Sequence, residues 1–163
     1  MQYAITGHTE GIGKAVYEKL LPSILGFSKS TGYDITLKED RRKIIDESQH
    51  CDVFINNATD GFGQTELLIE LFYEWKSSNK TIINVGSRIA EVVLSPGYEH
   101  LIWYSAQKKL LKAIIPDMQG HACKVEYKWF GYVGTEKILK KYPHFTPSDY
   151  ISVDAAANII LGI

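Results

Sequence analysis

The 163 residues carry 18 Lys and Arg against 19 Asp and Glu, a formal net charge of −1, with 45% hydrophobic and 23% charged residues. This balance suits one compact domain, residues 1–163, with its own core; it gives no basic footprint for nucleic acid and no apolar run long enough to cross a membrane. Cys51 and Cys123 are too few for a disulfide framework, the chain opens directly on strand-like residues, and no residue set has metal-ligand spacing, so a cytoplasmic protein without a metal is expected.

In chain order, the apolar run QYAIT (2–6) predicts a strand, and GKAVYEKLL (13–21) predicts a helix because Ala15, Val16, Leu20 and Leu21 recur at helical spacing. Between them, ITGHTEGIG (5–13) reads in two ways. Gly7 permits a tight turn, Gly11 lets backbone N–H groups approach a pyrophosphate, and Gly13 lets helix and strand pack closely, with the anion on the helix N-terminus. An ordinary βα loop whose glycines satisfy local positive φ explains the same residues. Strands then follow at SILGFS (23–28), CDVFINN (51–57), KTIINVGS (80–87) and CKVEYKWFG (123–131). Helices are predicted at LKEDRRKIIDES (37–48), QTELLIELFYEWK (64–76), YSAQKKLLKAII (104–115) and SVDAAANIIL (152–161). Alternation of this kind implies an α/β fold, a Rossmann-like doubly wound parallel sheet of reduced size, whose ligands bind beyond the carboxyl ends of the strands.

Several chemical groups fall at that edge. INNA (55–58) follows the third strand, Ser87 ends the fourth, and Tyr104 and Lys108 stand four apart, on one helical face. Alone, the last pair means little, because among ten tyrosines about one Tyr-x-x-x-Lys is expected by chance. The order carries the information: Thr-Gly-x-x-x-Gly-Ile-Gly at 6–13, Asp34-Ile35-Thr36, Asn56-Asn57-Ala58, Ser87, Tyr104-x-x-x-Lys108, and FGYVGT at 130–135. This ordered set resembles the short-chain dehydrogenase/reductase family over essentially the whole chain.

The resemblance implies an NAD(P)-dependent oxidoreductase that reduces a carbonyl, or oxidises an alcohol, by hydride transfer. Gly7, Thr9, Gly11, Ile12 and Gly13 match the family's cofactor-phosphate loop, and Asp34 matches an acid that bonds the adenine amino group. Asn56, Asn57 and Ala58 match the segment that lines the adenosine ribose and braces the sheet, while Val133 and Thr135 match the stretch at the nicotinamide end. Tyr104 matches the proton donor. Lys108 would lower the Tyr104 pKa by its charge and grip the ribose hydroxyls, and Ser87 would polarise the carbonyl. Each also has a bland explanation: an exposed tyrosine, a solvated lysine, a serine capping a strand. A catalytically weak dinucleotide-binding regulatory or scaffolding protein of the same fold is the alternative function.

The departures are informative. No room exists between Phe27 and Asp34 for the family's usual crossover helix, and a segment is missing between Ala58 and the helix at 64–76. The asparagine that often completes the site is absent, leaving Gln64, Thr59 or water to substitute. Only residues 136–163 follow Thr135, so the last strand of the family is expected to be absent. The insertion VVLSPGYEHLIW before Tyr104 is expected to shape the pocket, and Phe62, Tyr98, Trp103, Tyr132 and Phe145 are expected mainly in the core. At the end of the second strand Ser28, Lys29 and Ser30 offer hydroxyls and a cation without an acid, which favours NADP(H) over NAD(H), with the Glu10 charge as the counter-argument. Finally, LLIELFYEW (67–75) and LIWYSAQKKLLKAII (101–115) are too apolar for helices with one watery face, so a homodimer or tetramer is expected alongside a small-molecule carbonyl or alcohol as substrate.

Overall fold

In the computed structural model, which describes residues 1–163, the predicted alternation is realised element by element. The strands are β1 (Tyr3–Thr6), β2 (Ile24–Phe27), β3 (Val53–Asn56), β4 (Thr81–Ser87) and β5 (Lys124–Phe130). The helices are α1 (Gly11–Leu20), α2 (Lys38–Glu47), α3 (Gly63–Trp75), α4 (Ile102–Ile114), α5 (Glu136–Lys141) and α6 (Val153–Leu161). All strand pairs are parallel and the order is β2-β1-β3-β4-β5. The chain therefore winds outward from β1 in both directions, and the reversal between β1 and β3 opens a crevice at their carboxyl ends.

Both sheet faces are dry. Ala4, Phe54, Ile82 and Val125 face a core closed by α2, α3 and α4, including Leu67, Leu71, Trp75 and Leu111. Their strand neighbours Ile5, Ile55, Ile83 and Val85 face a second core under α1 and α6, with Val16, Ala156 and Ile160. This two-sided burial explains why the strands read as unbroken apolar runs. Each fully buried Leu or Ile contributes about 1.5–3 kcal/mol. Arg41, itself buried, ties α2 to α3 by bonding Ile35 O at 2.9 Å, Glu66 at 2.8 Å and Glu70 at 3.0 Å.

The expected shortening is visible at both ends of the sheet. A single 3-10 turn, Lys29–Thr31, stands after β2, and β5 is an edge strand with nothing beyond it. The expectation for the aromatic residues was wrong: none of Phe62, Tyr98, Trp103, Tyr132 and Phe145 is buried. Phe62 stacks edge-on against Trp103, Tyr98 stacks on His100, and Tyr132 and Phe145 join Tyr142 in an aromatic group above the sheet's carboxyl edge. Both cores are filled by other side chains, among them Phe27, Phe54, Phe72, Trp75 and Phe130, so these five aromatics are left to the loops and to the outer start of α4. No helix is long and apolar enough to cross a membrane.

Candidate active site

Two cavities open along the carboxyl edge of the sheet. The smaller, of about 320 Å³, is bounded by Gly7, Thr9, Ser28, Lys29, Asp34 and Ala58 among others. Its floor is the β1–α1 turn. Gly7 has φ +73°, and a Cβ on Gly13 would lie 2.0 Å from Gly7 O, so only glycine allows the helix to start this close to the strand. Thr6 Oγ1 accepts the backbone N–H groups of Asn57 and Ala58, both at 3.0 Å, and Asn57 Nδ2 donates back to Thr6 O at 3.0 Å. The turn is thereby pinned to β3. At the start of α1, Glu10 gives no side-chain cap, which leaves the first helical N–H groups free to face an anion. A tight glycine cradle and an uncapped helix N-terminus at the sheet's reversal point fit a dinucleotide pyrophosphate.

The hydroxyls of Thr9, Ser28 and Ser30 form a cluster on one wall, with Ser28 Oγ 3.1 Å from Thr9 Oγ1 and 2.8 Å from Ser30 Oγ. Lys29 is not a lone cation: Nζ lies 2.8 Å from Asp34 and 3.3 Å from Asp60. Lys29 and the Thr36 hydroxyl and N–H together hold the Asp34 carboxyl down at about 2. Asn56 does not reach either cavity. Its side chain is fully buried, donating to Gln64 O at 2.9 Å and Asn84 Oδ1 at 3.0 Å, so it braces β3 against β4 and α3 and cannot line a ribose. Asn84 in turn donates to Glu126 O, tying β4 to β5.

The larger cavity, of about 910 Å³, contains Ser87, Tyr104 and Lys108 in one lining, with Ile12, Val133 and Thr135. Ser87 Oγ accepts the Ile89 N–H at 3.3 Å, capping the short turn that follows β4; its own proton is uncommitted. Tyr104, 39% exposed, makes no hydrogen bond to the protein through its hydroxyl, and Lys108 Nζ sits 5.8 Å from its ring centroid. Thr135 caps α5 by accepting the Ile138 N–H, and its methyl approaches Gly11, drawing the two cavities together. Asn57, Thr59 and Lys137 line both. The 92–103 insertion does shape the wall, through Val92, Leu94 and Leu101.

Lys108 is only 3% exposed, and all three of its ammonium protons have acceptors: Thr59 Oγ1 at 2.7 Å, Gln64 Oε1 at 2.7 Å and Val85 O at 3.0 Å. The Gln64 orientation is forced, because its Nε2 donates to Asn56 O at 2.7 Å and to Val85 O at 3.0 Å, leaving Oε1 for the lysine. Both expected substitutes for the missing asparagine thus stand at the lysine. The expectation that Lys108 also grips a ribose is corrected to this extent: no proton is spare, so any ribose contact must displace a partner. Burial lowers the lysine pKa to about 7, while the three acceptors favour the ammonium.

Sequence reasoning counted Thr6 only as the start of the turn motif, without a role, and missed Asp60, Arg88, Tyr142 and Tyr150. Thr6 was available as a hydroxyl at a strand's end. The others sit on turns whose course no periodicity reveals.

No model of a known protein family matches the chain, and no curated protein is similar to it in sequence. Solved structures are similar in fold. A short-chain dehydrogenase from Burkholderia cenocepacia, in complex with NADP, superposes with a TM-score of 0.78 at 21% identity, covering 99% of this chain and 85% of that one. A 3-alpha-hydroxysteroid dehydrogenase from a Pseudomonas species, complexed with NADH, gives 0.75 at 17% identity, covering 99% and 88%. Serine dehydrogenase from Escherichia coli gives 0.71 at 13% identity, covering 100% and 90%. The chain has the short-chain dehydrogenase fold.

Proposed function

We propose that this chain is a shortened short-chain dehydrogenase/reductase, an NADP(H)-preferring oxidoreductase that interconverts a carbonyl and an alcohol. The observation that carries the reading is the presence of Ser87, Tyr104 and Lys108 in the lining of a single cavity that adjoins the glycine cradle. A bound nicotinamide supplies the hydride to the carbonyl carbon, or accepts it in reverse. The remaining work falls to the chain. Ser87 Oγ–H donates to the carbonyl oxygen, which gathers negative charge as the C=O π bond opens. Tyr104 O–H then gives that oxygen its proton, and the product is the alcohol. Lys108 beside the ring favours the phenolate left behind. The uncommitted protons on Ser87 and Tyr104 support this over a regulatory module, which needs the cradle but neither hydroxyl.

NADP(H) preference rests on the hydroxyl cluster of Thr9, Ser28 and Ser30 beside Lys29, which holds the neighbouring Asp34 and Asp60 in ion pairs. Self-association rests on α4, where Ile102, Trp103 and Leu110 are exposed, and on Tyr73 of α3; Trp103 is 71% exposed. We expect a homodimer or tetramer, and light scattering that finds only monomer at micromolar concentration would remove it. The function is tested by a panel of carbonyl compounds followed through the loss of NADPH absorbance: turnover of at least one, abolished together with Tyr104, supports the enzyme. NADPH binding with no turnover across aldehydes, ketones and oxo acids would favour the regulatory alternative.

A further inference from the structure

We propose that the larger cavity takes an anionic carbonyl compound, an oxo acid with an apolar body, and that Arg88 recognises its carboxylate. The inference rests on the oxidoreductase reading and adds the substrate's class.

Charge is segregated around this cavity in a chain whose net charge is −1. Its ionisable walls are Arg88, Lys108, Lys137 and Lys141 against one carboxylate, Asp149. That carboxylate is already committed to its own loop, accepting the Thr146 N–H at 2.7 Å and the Thr146 hydroxyl at 2.9 Å. Lys108 is spent on its three internal acceptors. Arg88, Lys137 and Lys141 form no salt bridge to a carboxylate and share the lining of this one cavity. Three cations facing a single carboxylate on one concave surface leave a net positive, anion-attracting field.

The three are not equivalent. Lys137 lines both cavities and so is shared with the smaller one. Lys141 lays its ammonium against the Tyr142 ring, 5.2 Å from the centroid. Arg88 directly follows Ser87, and its stem runs toward the loop after β5, where a Cβ on Gly131 would meet Arg88 Cδ at 3.9 Å. The guanidinium is thus carried by the same strand end as the serine that would bind the carbonyl. A guanidinium offers a planar pair of donors, the shape that matches a carboxylate. Around it Ile89, Val92, Leu94 and Tyr132 supply an apolar wall, so an acid with a hydrocarbon or aromatic body matches both halves of the lining.

The probe pair is benzoate and benzamide, nearly the same shape and differing in charge, titrated into the whole chain without cofactor near neutral pH and followed by the Arg88 side-chain N–H and Ser87 amide resonances. We expect benzoate to bind about tenfold more tightly than benzamide, a preference that high salt reduces. Arg88→Gln should erase the preference, and Arg88→Lys should keep part of it because the charge remains while the fork is lost. Equal binding of the two probes, no binding of either, or a benzoate preference that survives in Arg88→Gln would overturn the proposal. Turnover separates this from the function itself. Reduction of neutral ketones without a benzoate preference removes only the substrate class. A benzoate preference with no carbonyl turned over removes the reductase.

Discussion

The two cavities differ in how they are built. The smaller is made at strand ends and first helical turns, where the parallel sheet fixes each backbone atom: Gly7, Ser28 and Ala58 stand one or two residues beyond the paired ends of β1, β2 and β3. Its cation Lys29 is paired, with Asp34 and Asp60. The larger has the same kind of floor, Val85, Ser87 and Phe130, but its walls come from residues 88–101 and 131–151, where helical pieces are short and much of the chain is irregular. There the cations are unpaired and the aromatics pack on one another. A site that must hold an invariant group is built into the backbone, and a site that must choose a substrate is built from loops and side chains.

The sharpest way to break this contrast is to separate binding from turnover. Tyr104→Phe removes the proton donor without touching the glycine cradle, so kcat should fall by about 10²- to 10⁴-fold while NADPH affinity stays within a factor of two. Stopped-flow turnover and calorimetric titration of one preparation give both numbers. Unchanged turnover would remove Tyr104 as the acid. A large loss of affinity would show that the cavities are not the separate devices described.

A smaller effect is expected at Gln64, which ties the end of β3 to β4 and to the lysine of the larger cavity. Gln64→Leu strips an acceptor from Lys108 and the donor from Asn56 O, and buried groups left unpaired cost about 1–3 kcal/mol each. The loss should appear as a lower unfolding midpoint together with reduced kcat. Gln64→Glu is the informative partner. A carboxylate at the same place favours the ammonium, so the Lys108 pKa rises from about 7 and the alkaline limb of the kcat/KM profile for reduction moves to higher pH. A profile that stays in place while stability falls would assign Gln64 to packing alone.

How much of this was legible in the sequence follows from the same division. The order of strands and helices and the glycine turn follow from periodicity and from the rule that parallel strands present their carboxyl ends to one edge, whereas the grouping of Ser87, Tyr104 and Lys108 was implied by the resemblance to the short-chain dehydrogenase/reductase family. Asn56 was misjudged because the two asparagines are adjacent, and adjacent strand residues point to opposite sides; one reaches the turn and the other the core. Lys29 read as a lone cation because Asp60 is distant in sequence and only the folded turn after β3 brings it near. The saturation of Lys108 required Thr59, Gln64 and Val85 O to converge from a loop, a helix and a strand, which no linear pattern encodes.

The buried lysine also predicts a modest pH dependence of stability. With its pKa near 7 in the fold and an ordinary value of 10.5 when unfolded, the unfolded chain binds more protons between those values. Below pH 7 both states are charged and the desolvation penalty is felt in full; as pH rises through 7 toward 10, the penalty is relieved and stability from this group increases. Urea unfolding at several pH values should show a wild-type slope that Lys108→Met lacks across that window. Parallel slopes for the two proteins would mean that the lysine keeps its proton and that its acceptors outweigh burial.

The smallest effect tests the cation of the smaller cavity. Lys29 is 68% exposed on its side chain and its bonds to Asp34 and Asp60 are screened by water, so a single substitution there should act weakly. Lys29→Ala nevertheless acts on NADPH in two ways of the same sign. It removes a positive charge from beside the Thr9, Ser28 and Ser30 hydroxyls, and it unmasks Asp34 and Asp60 next to Glu10, three carboxylates facing a phosphate. NADH, which lacks the 2′-phosphate, feels neither strongly. The expected outcome is an NADPH affinity lowered about two- to tenfold at low salt, a loss that shrinks as ionic strength rises, with NADH affinity nearly constant. Tighter binding of NADH than NADPH by the wild-type chain, or an unchanged NADPH affinity in Lys29→Ala, would overturn the NADP(H) assignment. In that case the hydroxyl cluster would be read as a receptor for an unphosphorylated ribose, and the ion pairs of Lys29 as a purely structural clasp between the turns after β2 and β3.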